Sequence, residues 1–176
     1  YVFGDNTYQS EVTIDLNGNI IWKKKYSDLS SSEFSWEKTY DRNKLENTKI
    51  FGDSIYLSGF IQNWDPSSFN GFIIKIDKNN GDLLWDYVIP ESSVCYDLLI
   101  RDDTVSCPIN IMYNSNGSEL GTKIITLDQS GNFDSYSDIN IPGGSSTNFS
   151  SESISPYGPS DFVISGGNQV LLINTD

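Results

Sequence analysis

The residues best suited to hold a metal ion are aspartates that open three short turns, at Asp15, Asp77 and Asp128. Asparagine or serine follows each of them, so that carboxylate and polar side-chain oxygens alternate along the turn as they do in a calcium loop. An EF-hand also needs glycine at its sixth position and a bidentate glutamate at its twelfth. In these turns glycine comes at the fourth or fifth position, and no glutamate stands at the twelfth. Since Asp and Asn favour tight turns by accepting local backbone hydrogen bonds, we predict structural turns and no metal site.

Groups for acid–base or nucleophilic catalysis are scarce in this sequence. The chain contains no histidine, which is the commonest general base and the commonest metal ligand. It also lacks the Gly-x-Ser-x-Gly pattern that positions a nucleophilic serine, and it lacks a glycine-rich loop that would cradle phosphates. We therefore predict no catalytic residues and no cofactor.

The two cysteines, Cys95 and Cys107, lie at apolar positions of neighbouring predicted strands. Two cysteines are too few for a disulfide-rich scaffold or for a zinc site. The pattern favours buried free thiols, whereas a disulfide requires the two Cα atoms to approach within about 7 Å. The sequence leaves both states open.

The elements that carry these residues are predicted to be β-strands. In the stretch 71–89, apolar and polar residues alternate up to a turn at Asp77–Gly81, and a second apolar strand follows, which predicts a β-hairpin. Weaker copies of this pattern surround Asp15 and Asp128, at spacings of 62 and 51 residues, and Asn174 holds the next equivalent place after 46 more. Repeats of about 40–50 residues with four strands each are typical of propeller blades.

The repeat divides the chain into four stretches, and each full stretch contains four strands, A to D. The approximate boundaries are 1–51, which is incomplete, 52–101, 102–154 and 155–176, which is also incomplete. In the stretch 52–101 the predicted strands A to D are 54–61, 71–77, 83–89 and 94–101. No part of the chain shows sustained helical periodicity.

The turn-and-tryptophan pattern is shared with known repeats. Asp77-x-x-x-Gly81-x-x-x-Trp85 resembles the tryptophan-docking signature of pyrroloquinoline-quinone-type (PQQ-like) propeller repeats. The stretch Asp15–Trp22 is similar, with one residue fewer in the turn. The longer pattern over residues 52–85 resembles the bacterial seven-bladed propeller repeats often called SBBP repeats.

The resemblance implies an all-β fold, namely a fragment of a β-propeller with about three and a half four-stranded antiparallel blades and with strand A innermost. It also implies that Trp22 and Trp85 dock between adjacent blades, where a large aromatic side chain buries roughly 150–250 Å². In the third copy Ser135 stands where the tryptophan would be, with Tyr136 beside it. Because the chain opens on what looks like the tail of a strand, at Tyr1–Gly4, we expect a fragment whose remaining blades come from missing chain or from another subunit.

The longest connections between predicted strands fall on one face. Strands in a meander alternate in direction, so the A–B and C–D connections emerge together, and these are the long ones, at 27–44, 62–70, 113–120 and 142–148. They carry the aromatic residues that we predict to bind a ligand: Phe34, Trp36, Tyr40, Trp64, Phe69 and Tyr113. Aromatic residues clustered on one face suggest recognition of a protein or a sugar, although such loops can also fold over their own aromatics. Two Asn-x-Ser sequons, at Asn116 and Asn148, are candidate glycosylation sites if a eukaryote secretes the protein.

The charge of the chain restricts its partners. Eleven basic and 24 acidic residues give a formal net charge of −13, which repels phosphate backbones and anionic lipid, so neither nucleic acid nor a membrane surface is an expected partner. No apolar run reaches the roughly 18 residues that membrane insertion requires. We predict a non-catalytic binding or structural module, extracellular or in the cell envelope, that recognises a protein or a glycan through one loop face. The alternative, which the resemblance implies, is part of a quinone-dependent dehydrogenase propeller.

Overall fold

The computed structural model describes residues 2–5, 10–14, 17, 19–25, 42–64, 67–113, 121–139, 151–158, 161–166 and 169–173. Within these ranges the chain forms strands and turns and no helix, which confirms the predicted all-β class. The strands, numbered in chain order, are β1 (Val2–Asp5), β2 (Ser10–Ile14), β3 (Ile20–Lys25), β4 (Arg42–Phe51), β5 (Ser54–Trp64), β6 (Ser67–Asp77), β7 (Leu83–Cys95), β8 (Leu99–Ile100), β9 (Thr104–Tyr113), β10 (Gly121–Asp128), β11 (Phe133–Asp138), β12 (Ser153–Pro156), β13 (Phe162–Gly166) and β14 (Gln169–Ile173).

The described strands pair in antiparallel fashion, as predicted, and they form three sheets. The first sheet has the order β1-β2-β3, and the last has the order β12-β13-β14. Between them lies an eight-stranded sheet of order β11-β10-β9-β7-β6-β5-β4, in which β8 also pairs with β9. Because consecutive strands are neighbours almost throughout, each sheet is a simple meander.

The long strand β7 joins two meanders into the eight-stranded sheet. β6 pairs with its first part, Leu83–Val88, and with Ser92, whereas β9 pairs with its last residues, Ser92–Cys95. Pro90, which has no N–H to donate to a ladder, lies between the two parts. We therefore describe the chain as four units: unit 1 (2–25), unit 2 (42–89), unit 3 (92–139) and unit 4 (151–173).

Units 2 and 3 each begin with a hairpin whose turn coincides with a boundary of the sequence division. β4 pairs with β5 across Gly52 and Asp53, where Gly52 adopts a φ of +58°. In the same way β8 pairs with β9, and the Arg101 N–H donates to the Thr104 carbonyl at 2.9 Å. The units that the hydrogen bonds define thus start one strand earlier than the stretches predicted from the sequence. Alternation along a strand does not reveal this, because a strand in a meander can pair equally with the element before it or after it.

The core consists of three clusters that lie between successive units. Alternate residues of β5 serve two of them, since Ile55 and Leu57 face unit 1 whereas Tyr56 faces unit 3. The cluster between units 1 and 2 contains Trp22, Ile55, Leu57, Phe72, Ile74 and Ile76. The cluster between units 2 and 3 contains Tyr56, Ile73, Ile89, Cys95, Leu98, Val105, Cys107, Ile109, Ile125 and Leu127. The cluster between units 3 and 4 contains Leu99, Ile124, Ile139, Ile154, Phe162 and Ile164. Burial of each large aliphatic side chain contributes about 1.5–3 kcal/mol, so the units are held together mainly face to face.

The two cysteines form a disulfide, and the preference for free thiols was wrong. Cys95, at the end of β7, is bonded to Cys107 on β9, and their Cα atoms are 6.2 Å apart. Both residues are fully buried in the cluster between units 2 and 3. Sequence spacing placed them on neighbouring strands, but the pairing of β7 with β9 is what brings the two side chains face to face.

Candidate functional site

Two tryptophans connect successive units through the same contact. The Trp22 indole N–H of unit 1 donates to the backbone carbonyl of Lys78 in unit 2 at 2.8 Å. The Trp85 indole N–H of unit 2 donates to the backbone carbonyl of Gln129 in unit 3 at 2.9 Å. Lys78 and Gln129 each follow the aspartate that opens a turn, so the two contacts are equivalent in the repeat.

The side chains of Lys78 and Gln129 are also used in an equivalent way. The Lys78 ammonium group donates to the carbonyl of Gly52 at 2.6 Å, and the Gln129 amide donates to the carbonyl of Arg101 at 2.7 Å. Gly52 and Arg101 belong to the turn of the first hairpin in units 2 and 3 respectively. Each unit therefore ties its two turns together and offers the same turn to the tryptophan of the unit before it.

The side chain of Gln129 also accepts hydrogen bonds from unit 2. Its side-chain oxygen accepts from the Tyr56 hydroxyl at 2.6 Å and from the Lys75 ammonium group at 3.0 Å. The Tyr56 ring packs edge-on against Trp85, with 6.1 Å between the ring centroids. Lys75 also lies 5.2 Å from the centroid of the Tyr56 ring, in cation–π geometry.

Gly131 lets Trp85 lie directly on the turn of unit 3. Its φ of +84° is in the left-handed region that favours glycine. A Cβ atom at this position would lie 2.7 Å from Cδ2 of Trp85. Glycine is thus required here both for the shape of the turn and for the close approach of the indole.

Asp77 and Asp128 accept backbone hydrogen bonds, as predicted for structural turns, whereas Asp15 lies outside the described residues. Asp77 accepts the Asn79 N–H at 2.7 Å. Asp128 accepts the N–H groups of Ser130 at 2.8 Å and Asn132 at 2.9 Å. The Asn132 side chain also donates to Asp128, and these hydrogen bonds, which favour the carboxylate, hold the pKa of Asp128 below its ordinary value. In the described part of the chain, no three His, Cys, Asp or Glu side chains are grouped as metal ligands would be.

Other side chains replace the tryptophan at the junction of units 3 and 4. Ser135 holds the tryptophan position, and Arg101 instead donates to the backbone carbonyl of Asp161 at 2.7 Å. Farther along the same junction, the Asn110 amide donates to the carbonyl of Ser151 at 3.0 Å, and the Ser151 N–H donates back to Asn110 at 2.9 Å. Polar contacts thus connect these units on both sides of their shared apolar cluster.

Tyr136 points back toward unit 2 and does not take the place of the missing tryptophan. Its hydroxyl donates to the carboxylate of Glu91. Burial, followed by the hydrogen bond and the negative charge of Glu91, raises the pKa of Tyr136 above its ordinary value of 10.0. Burial and Glu91 also raise the pKa of the neighbouring Tyr87.

A buried carboxylate joins three units at their first strands. Asp97, which is only 4% exposed, lies between β7 and β8 in unit 3. From unit 2, the Asn47 amide and the Lys49 ammonium group reach its Oδ1 at 2.7 and 2.6 Å. From unit 4, the Ser153 hydroxyl and the Ile154 N–H reach its Oδ2 at 3.2 and 2.9 Å. Units 2 and 4 thus meet at one carboxylate, although the sheet of unit 3 lies between them elsewhere.

Asn47, Asp97 and Ser153 occupy equivalent positions in units 2, 3 and 4. Each lies three residues before an equivalent pair that the first strand makes across the hairpin: Ile50 with Ile55, Ile100 with Val105, and Pro156 with Phe162. Sequence reasoning missed this series because the units had been aligned on the turns that precede tryptophan. Alignment on the first hairpin would have shown a polar residue at each of the three places.

The connections between strands alternate between two edges of the sheets. At the turn edge, the Lys78 N–H donates to the Asp53 carbonyl at 3.0 Å, which brings the two turns of unit 2 together. At the opposite edge, which we call the long-segment edge, Trp64 pairs with Ser67 where β5 meets β6. The strand ends that flank 26–41, 65–66, 114–120 and 140–150 all belong to the long-segment edge. This agrees with the prediction that these connections share a face, but the connection predicted at 62–70 is short, because residues 62–64 belong to β5 and residues 67–70 belong to β6.

The predicted binding residues are described only in part. Phe69 is half-buried and packs edge-on against Phe60, with 5.4 Å between the ring centroids. Trp64 and Tyr113 are the last residues of β5 and β9 at the long-segment edge. The remaining candidates lie outside the described residues, as do both sequons: Phe34, Trp36, Tyr40, Asn116 and Asn148. The prediction that Phe69 lies in a long connection was wrong, because Phe69 belongs to β6, where it meets Phe60 on β5.

Comparisons with known proteins were made for the whole chain. No protein-family model matches it, and a search of curated proteins finds no match either. Within the described ranges, no helix is long and apolar enough to cross a membrane.

Proposed function

We propose that this chain is a non-catalytic binding or structural module, built as part of a β-propeller, that recognises a protein or a glycan through its long-segment edge. The observation that carries the architectural part is the convergence of units 2 and 4 on Asp97. The sheet of unit 3 separates units 2 and 4 along most of its width, but the first strands of the three units meet at Asp97. The three sheets therefore diverge from these first strands. A fan of antiparallel sheets supports a radial arrangement of blades.

In this arrangement the first strand of each unit lies nearest the axis. These strands are β4 in unit 2, the segment 92–100 in unit 3 and β12 in unit 4. The proposal therefore shifts the innermost strand from strand A of the sequence division to the strand before it. The equivalent indole contacts of Trp22 and Trp85 support the resemblance to SBBP and PQQ-like repeats. Remaining blades would come from further chain or from another subunit.

Recognition is proposed for the long-segment edge because the connections 26–41, 114–120 and 140–150 lie between strand ends of that edge. Ordering a connection costs about 1–2 kcal/mol per residue, so three long connections at one edge are more readily explained by a ligand than by chance. They carry Trp36 and Tyr40, and Trp64 ends a strand at the same edge. The Phe60–Phe69 pair adds half-buried aromatic surface beside them.

The net charge of the chain restricts the class of partner, and its disulfide indicates the kind of compartment. A net charge of −13 favours a neutral glycan or a basic patch on a protein over an acidic ligand. The Cys95–Cys107 disulfide supports an oxidising compartment, consistent with an extracellular or cell-envelope location.

The double variant Trp36→Ala/Trp64→Ala tests the proposed recognition edge. Binding would be measured on a glycan array and by pull-down with immobilised basic proteins, because stacking on an indole requires neither a metal nor histidine. We expect the double variant to lose binding at least about tenfold in both measurements, since truncation of an aromatic hot-spot residue to alanine costs about 2 kcal/mol or more. Tyr157→Ala is the matched control, because Tyr157 is 57% exposed and lies at the turn edge. The control variant should bind like the parent, and binding that survives the double variant would contradict the proposal.

A further inference from the structure

The first strand of unit 3 is interrupted where it approaches both of its neighbours. Cys95 pairs with Ile109 and Leu99 pairs with Ser106, so this strand uses one residue more than β9 between the two pairs. Such an extra residue is a β-bulge, which bends the strand and re-aims a side chain. Here the bulge takes Asp97 out of the ladder and lets its carboxylate reach units 2 and 4.

The disulfide lies at the start of this bulge. It bonds Cys95, the last residue paired before the interruption, to Cys107 on the strand opposite. On the other side of the bulge, Leu99 and Ile100 pair with β9 again. The three residues 96–98 are thus fixed by a covalent bond at one end and by a short ladder at the other. The Leu98 N–H completes the arrangement by donating to Asp97 at 2.8 Å.

Unit 2 has a bulge at the equivalent place but no covalent bond across it. The register of β4 shifts between Leu45 and Asn47, inside a strand that is otherwise continuous. Leu45 and Leu57 hold the positions of the two cysteines. The extra residue of this bulge is Glu46, and the residue at the place of Asp97 is Asn47, which is neutral. The disulfide thus occurs in the unit whose residue at this place, Asp97, is a buried charge contacted by both neighbours, and burying a charge is costly unless its partners stay in place.

We propose that the Cys95–Cys107 bond is a redox-sensitive coupling device that holds Asp97 where it joins units 2 and 4. When the bond forms, the two thiols give up two protons and two electrons to an acceptor disulfide, which leaves as a dithiol. The bulge is then fixed, and the donors of both neighbours converge on one carboxylate. When a dithiol reverses the exchange, the bulge gains freedom and the carboxylate can turn toward water. The first strands of units 2 and 4 then separate, while the ladders inside each unit persist.

Amide hydrogen exchange, followed residue by residue, tests this coupling. The variant Cys95→Leu/Cys107→Leu carries the residues that unit 2 uses at the same positions, so apolar packing is retained while the bond is lost. We expect the Ile154 and Leu98 amides, which donate to Asp97, to exchange at least about tenfold faster in the variant. Amides in the ladder between β5 and β6 serve as the internal control and should keep their protection. The same comparison is made on the folded wild-type chain before and after addition of dithiothreitol, with thiol alkylation to confirm reduction.

The outcomes separate coupling from plain stabilisation. Faster exchange confined to Ile154, Leu98 and the residues of β4 and β12 supports the proposal. A uniform increase across all ladders overturns it, because the bond would then act only on global stability. Unchanged exchange at Ile154 in a chain shown to be reduced also overturns it. If the leucine variant does not fold, the reduced wild-type chain decides between the same outcomes, and unfolding on reduction counts against the device.

Discussion

The indole N–H of Trp85 donates to the backbone carbonyl of Gln129 at 2.9 Å, across 44 residues of sequence and from one unit to the next. The same contact, between Trp22 and Lys78, spans the preceding pair of units at 2.8 Å. A contact repeated between two pairs of units is a property of the repeat. It specifies how far each unit is displaced along its neighbour, which face-to-face packing of aliphatic side chains alone does not.

Substitutions at Trp85 should separate the contribution of this hydrogen bond to stability from the contribution of the aromatic ring. We expect Trp85→Phe to lower the free energy of unfolding by about 0.5–1.5 kcal/mol, because much of the aromatic surface stays while the N–H is lost. Trp85→Ala should cost roughly 3–5 kcal/mol, as for other large aromatic truncations in a core. Both values would be obtained from denaturant titrations. An alanine variant as stable as the parent would show that the indole does not hold the units together.

Substitution of Gly131 should cost more than its backbone conformation alone explains. Gly131→Ala combines a φ of +84° with a Cβ atom 2.7 Å from Trp85. Gly158 has the same φ of +84°, but a Cβ atom there meets nothing within 4 Å. We expect Gly158→Ala to lose about 1–2 kcal/mol from left-handed strain and Gly131→Ala to lose about 1–3 kcal/mol more from overpacking. Equal losses in thermal or chemical unfolding would mean that the indole moves aside at no cost.

Removal of the Asp97 carboxylate should destabilise the chain far more than removal of an exposed one. Asp97→Ala leaves the Lys49 cation and the buried Ile154 N–H without their shared acceptor, which should cost roughly 3 kcal/mol or more. The control is Asp53→Ala, because the Asp53 side chain is 89% exposed and lies 3.3 Å from Lys78. Its stability should change by no more than about 0.5 kcal/mol. Similar losses at both sites, measured by denaturant titration, would contradict the role given to Asp97.

The tyrosines near Glu91 should lose their protons at a higher pH than ordinary tyrosines do. Burial and Glu91 raise the pKa of Tyr136 and Tyr87 above 10.0, so the neutral phenols stabilise the folded chain fully below that pH. This contribution should be lost as the pH rises from 10.0 through the folded-state pKa values, because the unfolded phenols ionise first. Absorbance titration of the tyrosines would measure the shift. Glu91→Gln should lower the pKa of both residues while leaving the burial effect in place, and an unchanged titration curve would argue against the contact with Glu91.

The sequence was sufficient to predict the all-β class, the antiparallel hairpins and the turns around Asp77 and Asp128. These features depend on local chemistry: alternation along a strand, and the tendency of Asp, Asn and Gly to form turns. It was also sufficient to predict that the long connections share an edge, since strands of a meander alternate in direction. The predicted roles of Trp36 and Tyr40 in binding stay predictions.

Only the tertiary structure decided which strand begins each unit, whether the cysteines bond, and what Asp97 does. The alternation of apolar and polar residues in β4 is the same whether β4 begins unit 2 or ends unit 1. Its hydrogen bonds with β5 show that it begins unit 2. Cys95 and Cys107 look alike in sequence whether bonded or free, because the pairing of β7 with β9 sets their separation. Asp97 resembles any polar residue in a connection until its donors from units 2 and 4 are in place. The disulfide joins residues 12 apart in sequence, and the contacts of Asp97 with Asn47 and Ile154 join residues 50 and 57 apart, so local propensity carries no information about them.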